Sequence, residues 1–248
     1  MSTFPSEHCF RNFVRRVRWS HRYTPDAETE RFFGALIGKS PNLQEKVPNG
    51  FPLWRAQIGH DWEPIVQDGE HLDDVPAPFK AKRMMPPLHN AKDGRANPKG
   101  IRYHLYLATH RYTAMAEVRP WIGALVSVAQ FQTTRELNLA NVTNDNKRKR
   151  IYTGEIPDHA IDDIVLREID EAFSEPVSLS DDTADYAPTQ IIAEIFKANG
   201  FDGVAYRSAP GDGHNIVLFD LSTVAIEHCY LFEVRKVSFT FEEAGRPY

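Results

Sequence analysis

The chain predicts an α+β fold, and three observations carry that expectation. Strand-like stretches surround a group of amphipathic helices without regular strand–helix alternation, which argues against a doubly wound parallel sheet. At 248 residues and 42% hydrophobic, the chain is long enough to bury a real core as one domain plus an extension. It carries no internal repeat, no low-complexity tract and no apolar run near the roughly 20 residues that a membrane helix needs. A compact mixed fold of two small sheets with flanking helices fits this pattern.

Residues 1–50 are expected to form a separate helical extension. Phe10 to Arg22 places Arg11, Arg15, Arg18 and Arg22 on one stripe beside Val14 and Val17. Thr24-Pro25 offers an N-cap and a first-turn proline for a second helix running to about Ile37. Pro41 to Pro52 is expected to be a linker with an Asn49-Gly50 turn, and residues 51–248 to be the functional domain. Leu53 to Ile58 predicts a strand, followed by a long Pro-rich polar loop to Leu88. Ala124–Phe131 and Glu136–Leu139 predict further strands. Asp158–Phe173 predicts an amphipathic helix with Ile161, Ile164, Val165 and Ile169 on one stripe. Pro188–Asn199 predicts another, closed by Gly200. Strands are expected at Gly203–Tyr206, Asn215–Asp220 and, with interruptions, Ala225–Phe241.

The most telling stretch is Gly94 to Glu117. Asn97-Pro98-Lys99-Gly100 predicts a turn. Ile101, Tyr103, Leu105 and Leu107 then alternate with Arg102, His104 and Tyr106, the period of a strand. Thr109 is expected to cap a short helix on which Thr113 and Glu117 share a face. Arg95, Tyr106 and Glu117 therefore follow one another at intervals of 11 residues in one strand-centred unit. A cation, an aromatic ring and a carboxylate that converge suit an anionic, ring-bearing substrate. His104 is expected to be a solvated or hydrogen-bonded strand histidine.

This unit resembles the RES-domain family, which carries an Arg in a GRxN turn, a Tyr eleven residues on and a Glu eleven beyond. The family's earlier Arg is matched by Arg55 in Leu53-Trp54-Arg55-Ala56. Its late Ser is matched by Ser208 in Tyr206-Arg207-Ser208, followed by Asn215-Ile216-Val217-Leu218-Phe219. The resemblance covers about Phe51 to Asp220. Ala96 stands where the family often has an aromatic residue, Arg207 where proline often precedes the serine, and the gap from Arg55 to Arg95 is long. The resemblance implies an ADP-ribosyltransferase-like fold and a bacterial toxin that degrades NAD, neutralised by an Xre-like helix-turn-helix antitoxin. It implies a catalytic set of Glu117, Arg55 and Ser208, and a substrate-binding set of Arg55, Arg95, Tyr106, Ser208 and Asn215. The chemistry is consistent with those types. A guanidinium fork holds pyrophosphate bidentately at any working pH, and a carboxylate stabilises the sugar cation left when nicotinamide departs. The tyrosine would support the nicotinamide end, and the serine would orient substrate, with no His and Asp placed to form a triad.

Composition excludes other classes. A net charge of −5 and a pI near 6.1 disfavour direct nucleic-acid binding. Cys9 and Cys229 are the only cysteines, with no CxxC, HExxH or tight Asp cluster. A reduced cytoplasmic protein without bound metal or cofactor is expected, NAD being substrate and water or inorganic phosphate the acceptor. Gly34 to Ser40 has three residues between its glycines where a phosphate loop needs four. Asn144 to Arg150 is a basic run expected to be a solvated loop. Eleven acidic residues against one Arg between Glu155 and Asp185 would repel phosphate and suit a basic partner. Two rival functions stand beside NAD degradation: transfer of ADP-ribose to a protein or nucleic acid, and a non-catalytic binding module.

Overall fold

The computed structural model describes residues 4–86, 93–100, 104–143, 156–175 and 183–241. The elements in chain order are α1 Cys9–Trp19, α2 Ala27–Lys39, β1 Gln44–Val47, β2 Pro52–Ile58, β3 Asp61–Gln67, β4 Glu70–Ala77, α3 Ala81–Met84, β5 Leu105–Ala108 and α4 Arg111–Glu117. There follow β6 Leu125–Thr133, β7 Leu137–Asn141, α5 Asp158–Ser174, α6 Ala187–Ala198, β8 Gly203–Arg207, β9 His214–Leu218 and β10 Val224–Glu233. The expected strand residues Ile101 and Tyr103, and the basic run 144–150, lie outside the described residues.

Eight strands form one mixed sheet in the order β1-β7-β8-β9-β5-β2-β6-β10, and only β7 and β8 run parallel within it. The junction between β5 and β2 is thin, with Trp54 opposite Ala108 as its one registered pair. The sheet is thus two wings, five strands and three strands, that part on either side of that pair. The wings meet the expectation of two small sheets, while the second hydrogen-bonded sheet is the hairpin β3–β4.

The structure corrects several local expectations. The stretch after Ile58 is not a loop but this hairpin, reversed at Asp68 (φ 52°) and Gly69 (φ 84°), a two-residue Asp-Gly turn whose left-handed residues match the right-handed twist of paired strands. Residues 44–47 are not linker but an edge strand, Val47 pairing with Leu137. The second helix is capped by Asp26, whose carboxylate accepts from the Thr29 N–H at 2.8 Å. A carboxylate there satisfies an orphan donor and complements the helix dipole, which Thr24 two residues earlier does not. The cap residue of α4 is His110, whose side chain makes no capping bond to the helix; Thr109 Oγ1 instead accepts from the His214 N–H at 3.0 Å. His104 is buried rather than solvated, and among the described residues neither ring nitrogen has a partner at good hydrogen-bond geometry. The final strand ends at Glu233, well before Phe241.

One face of the sheet carries Val204, Tyr206 and Val217 under α1, α2, α5 and α6, with Phe13, Phe32, Leu36, Val165, Ile169, Phe173 and Phe196 in a single cluster. The rings of Phe13 and Phe32 stack with centroids 5.0 Å apart. The opposite face packs Leu53, Leu105, Leu107, Phe131 and Leu139 against Phe79 and Met84. A small patch of Ala56, Ala108, Ala114, Val126 and Val128 seats α4 on β2, β5 and β6. Among the described residues, no helix is long and apolar enough to cross a membrane.

Candidate active site

The parting of β2 and β5 leaves a gap that α4 overhangs, and Glu117 is the last helical residue of α4. A carboxylate at a helix C-terminus faces the negative end of the helix dipole, so it needs donors from elsewhere. Two arrive from β8 and β9. Ser208 Oγ donates to Glu117 Oε1 at 2.7 Å, and Asn215 Nδ2 donates to the same oxygen at 2.5 Å. Among the described residues nothing donates to Oε2. The side chain is exposed, with one oxygen fixed and the other open to whatever enters.

The loop after β8 is held against α4 so that Ser208 reaches Glu117. Thr113 Oγ1 donates to the Asp212 carbonyl, and Gly211 N–H donates to Ser208 Oγ at 3.2 Å. That second bond leaves the hydroxyl proton for the carboxylate. Gly213 lies at φ +85°, and a Cβ there would fall 2.3 Å from His110 Nδ1, so the loop approaches α4 only with glycine at this position. Arg207 is tied to α5, its backbone N–H donating to Asp170 Oδ1 at 3.0 Å and its guanidinium pairing with the same carboxylate.

Tyr106 on β5 supports the turn that carries Arg95. Its hydroxyl donates to Asn97 Oδ1 at 2.9 Å and accepts from the Ala96 N–H at 3.0 Å. Burial pushes the phenol up to about 12, the Ala96 and Arg95 contacts opposing it. Gly94 fits because a Cβ would sit 2.7 Å from that hydroxyl. From the other side Gln190 Nε2 on α6 donates to the Gly94 and Asn97 carbonyls at 2.9 and 3.2 Å. So braced, Arg95 reaches the C-terminus of α5. It donates to the Ala172 carbonyl at 2.6 Å and to the Glu175 carbonyl, with its guanidinium carbon 5.5 Å from the Tyr186 ring centroid. α5 has no basic residue in its own last turn, and Arg95 supplies the missing cation.

Arg55 on β2 pairs in register with Ala129 and donates to the Met84 carbonyl. Burial is the cause of a depressed guanidinium pKa, yet an arginine remains charged at working pH.

Three clefts connect these groups. A cavity of about 720 Å³ is lined by Arg95, Tyr106, Glu117, Tyr186, Tyr206 and Asn215. A smaller one of about 160 Å³ lies where β2 and β5 part, with Trp54, Arg55, Ala56, Tyr106, Ala114 and Glu117 among its walls. A third, about 1100 Å³, runs from Arg95 and Ser208 to Arg15, Arg18 and Trp19 on α1. Tyr106, Glu117, Val118, Tyr206 and Asn215 line both of the first two and mark their junction.

All six sequence-predicted residues therefore border connected clefts. Glu117, Ser208 and Asn215 are in direct contact, Tyr106 stands between the cavities, and Arg95 and Arg55 flank them on either side. Sequence reasoning missed Tyr206, which reads as a buried strand aromatic. Its only signal was its place two residues before Ser208. It also missed Gln190 and, although it placed Thr113 on the face of Glu117, the bond that Thr113 makes to the loop after β8; both depend on contacts across 93 and 99 residues. Among the described residues no group of three or more His, Cys, Asp or Glu side chains is arranged to hold a metal ion.

The RES domain family matches residues 52–242. A search of the curated proteins finds no match. Among solved structures, a chain in the crystal structure of the M. tuberculosis MbcT–MbcA toxin–antitoxin complex is similar at 14% identity and a TM-score of 0.44, over 80% of this chain and 92% of that chain. The family match takes in β2 to β10 and every residue of the site, more than half of the sequence, and the chain belongs to the RES-domain family.

Proposed function

We propose that this chain is an NAD-degrading enzyme, the toxin of a bacterial toxin–antitoxin pair, acting in the cytoplasm on the nicotinamide–ribose bond. The observation that carries the reading is Glu117: a carboxylate held through one oxygen by Ser208 and Asn215, its other oxygen open at the junction of two cavities. When the bond from ribose C1′ to the pyridinium nitrogen breaks, its electron pair returns to the ring and nicotinamide leaves neutral. The leaving group needs no proton. The sugar is left as an oxocarbenium-like cation, which the Glu117 carboxylate stabilises electrostatically. A phosphate dianion attacks that cation without losing a proton, while water gives one up, with Glu117 as the nearby acceptor.

Arg95 and Arg55 are assigned to the dinucleotide pyrophosphate, each with N–H groups left beyond those now bonded to carbonyls. Tyr106 supports the nicotinamide end and holds the turn that carries Arg95. Ser208 and Asn215 orient Glu117 and substrate. No metal or cofactor has a role in this reaction, and full activity in excess EDTA is expected. We assign an antitoxin partner to this chain, of the Xre-like helix-turn-helix type that the resemblance implies, and no contact with nucleic acid by this chain itself. The test is NAD incubated with purified protein, with and without phosphate. Release of nicotinamide with ADP-ribose 1″-phosphate or ADP-ribose supports the reading. A labelled macromolecule, or intact NAD, overturns it.

A further inference from the structure

Tyr206 is 6% exposed, yet its hydroxyl has no hydrogen-bond partner among the described residues. Its oxygen is not sealed in the core but reaches the cavity space that the residue lines. Its ring packs on Phe173 with centroids 5.5 Å apart, so packing alone would be met by phenylalanine. The residue lines both the 720 Å³ and the 160 Å³ cavities beside Glu117. The neighbouring Tyr106 hydroxyl is already committed to Asn97 and Ala96, and the Asn215 amide to Glu117. The smaller cavity is otherwise walled by Trp54, Ala56, Leu107, Ala108, Ala114 and Val118, with Arg55, whose guanidinium already donates to the Met84 carbonyl, at its side; it is a largely apolar slot suited to one small aromatic ring. Burial, reinforced by Tyr106 and Glu117, raises the Tyr206 phenol well above its ordinary value, so it is a donor at every working pH.

We propose that Tyr206 is a positioning and specificity residue: its hydroxyl donates to the carboxamide oxygen of the departing ring seated in the slot between β2 and β5. The inference rests on the reading of this site as one that cleaves the nicotinamide–ribose bond. It explains the unpartnered hydroxyl, because the missing acceptor arrives with the substrate. It also assigns a division of labour at the junction, with Glu117, Ser208 and Asn215 on the sugar side and Tyr206 and Trp54 on the ring side. A ring without the carboxamide oxygen would leave the phenol unpaired, and the site would discriminate against it.

The test uses the full chain and Tyr206→Phe, which keeps the ring and removes the hydroxyl. Turnover is compared on NAD and on the dinucleotide with plain pyridine in place of nicotinamide. The variant is expected to lose about tenfold or more in kcat/KM on NAD, the worth of one buried hydrogen bond, and about twofold or less on the pyridine dinucleotide. Equal losses on both, or none on NAD, overturn the proposal. A second titration follows free nicotinamide and ADP-ribose binding by NMR. Weaker nicotinamide binding in the variant with unchanged ADP-ribose binding supports the assignment, and unchanged nicotinamide binding sinks it. If the wild-type chain does not cleave NAD at all, the proposed reaction fails, and the nicotinamide titration still decides what Tyr206 does.

Discussion

Glu117 sits where a helix least favours a negative charge, and its donors among the described residues are Ser208 and Asn215. Glu117→Gln keeps the shape but removes the charge that a developing sugar cation would meet. Turnover of NAD is expected to fall on the order of 10²–10³, by analogy with loss of one oxyanion-hole donor, while the thermal midpoint stays near that of the parent. A folded Gln variant with parental turnover would dismiss the assigned role. Arg95 has a double duty, since it closes the end of α5 through two carbonyls. Arg95→Ala is expected to weaken NAD binding at least tenfold in a direct titration and to lower the unfolding free energy by about 1–2 kcal/mol. Arg95→Lys should restore charge but not the two-pronged grip, and so only part of either effect. Unchanged affinity would leave Arg95 as a helix cap alone. These residues were legible because the GRxN–Tyr–Glu spacing is local. The partners of Arg95 were not, because they lie 77 and 80 residues further on.

At the level of elements, β5 and α4 emerged from period-2 alternation and the Thr113–Glu117 spacing, though the cap of α4 did not. Thr109 is the stronger capping type, but it is drawn into bonding with His214. The hairpin β3–β4 left an Asp68-Gly69 signal that its prolines and carboxylates obscured. Trp62 remains 62% exposed on it, and it lacks the buried stripe by which strands are usually recognised. Tyr106 is the element-scale bolt, joining β5 to the Gly94–Asn97 turn through its hydroxyl alone. Tyr106→Phe removes one donor and one acceptor bond while the ring stays. The expected loss is about 1–3 kcal/mol in urea unfolding, with NAD binding weakened because Arg95 is no longer held. A variant as stable as the parent, binding NAD equally well, would show that Gln190 suffices to fix the turn.

Across the whole molecule, α1 and α2 share a core with α5 and α6 through Phe10, Phe13, Phe32 and Leu36. The sequence marked these helices by amphipathic pattern, but a pattern does not name the surface that receives it. Removal of residues 1–39 is expected to expose Phe173 and Phe196 and to yield an aggregating, ANS-binding chain; a soluble monomer with a cooperative transition would show that the rest folds alone. His104 gives the molecule a pH dependence that its strand position alone did not disclose. It is 4% exposed, its ring 5.0 Å from that of Phe219 and, among the described residues, without a partner at good hydrogen-bond geometry. Burial, aided by the charge of Lys197 and opposed by the nearby Ala96 backbone, draws its pKa from 6.5 down to about 4. Between those values the unfolded chain binds a proton that the folded chain refuses, so stability falls as pH drops through that window. Asp202 and Asp220, held below their ordinary 3.8, lose their contribution only at lower pH. Glu168, raised by its burial, has the opposite sign but is common to parent and variant. His104→Leu is therefore expected to flatten the slope between pH 6.5 and 4, recovering on the order of 2–3 kcal/mol at the acid end relative to the parent. Urea unfolding of both chains across that range measures it, and parallel curves would mean that His104 protonates freely in the folded state.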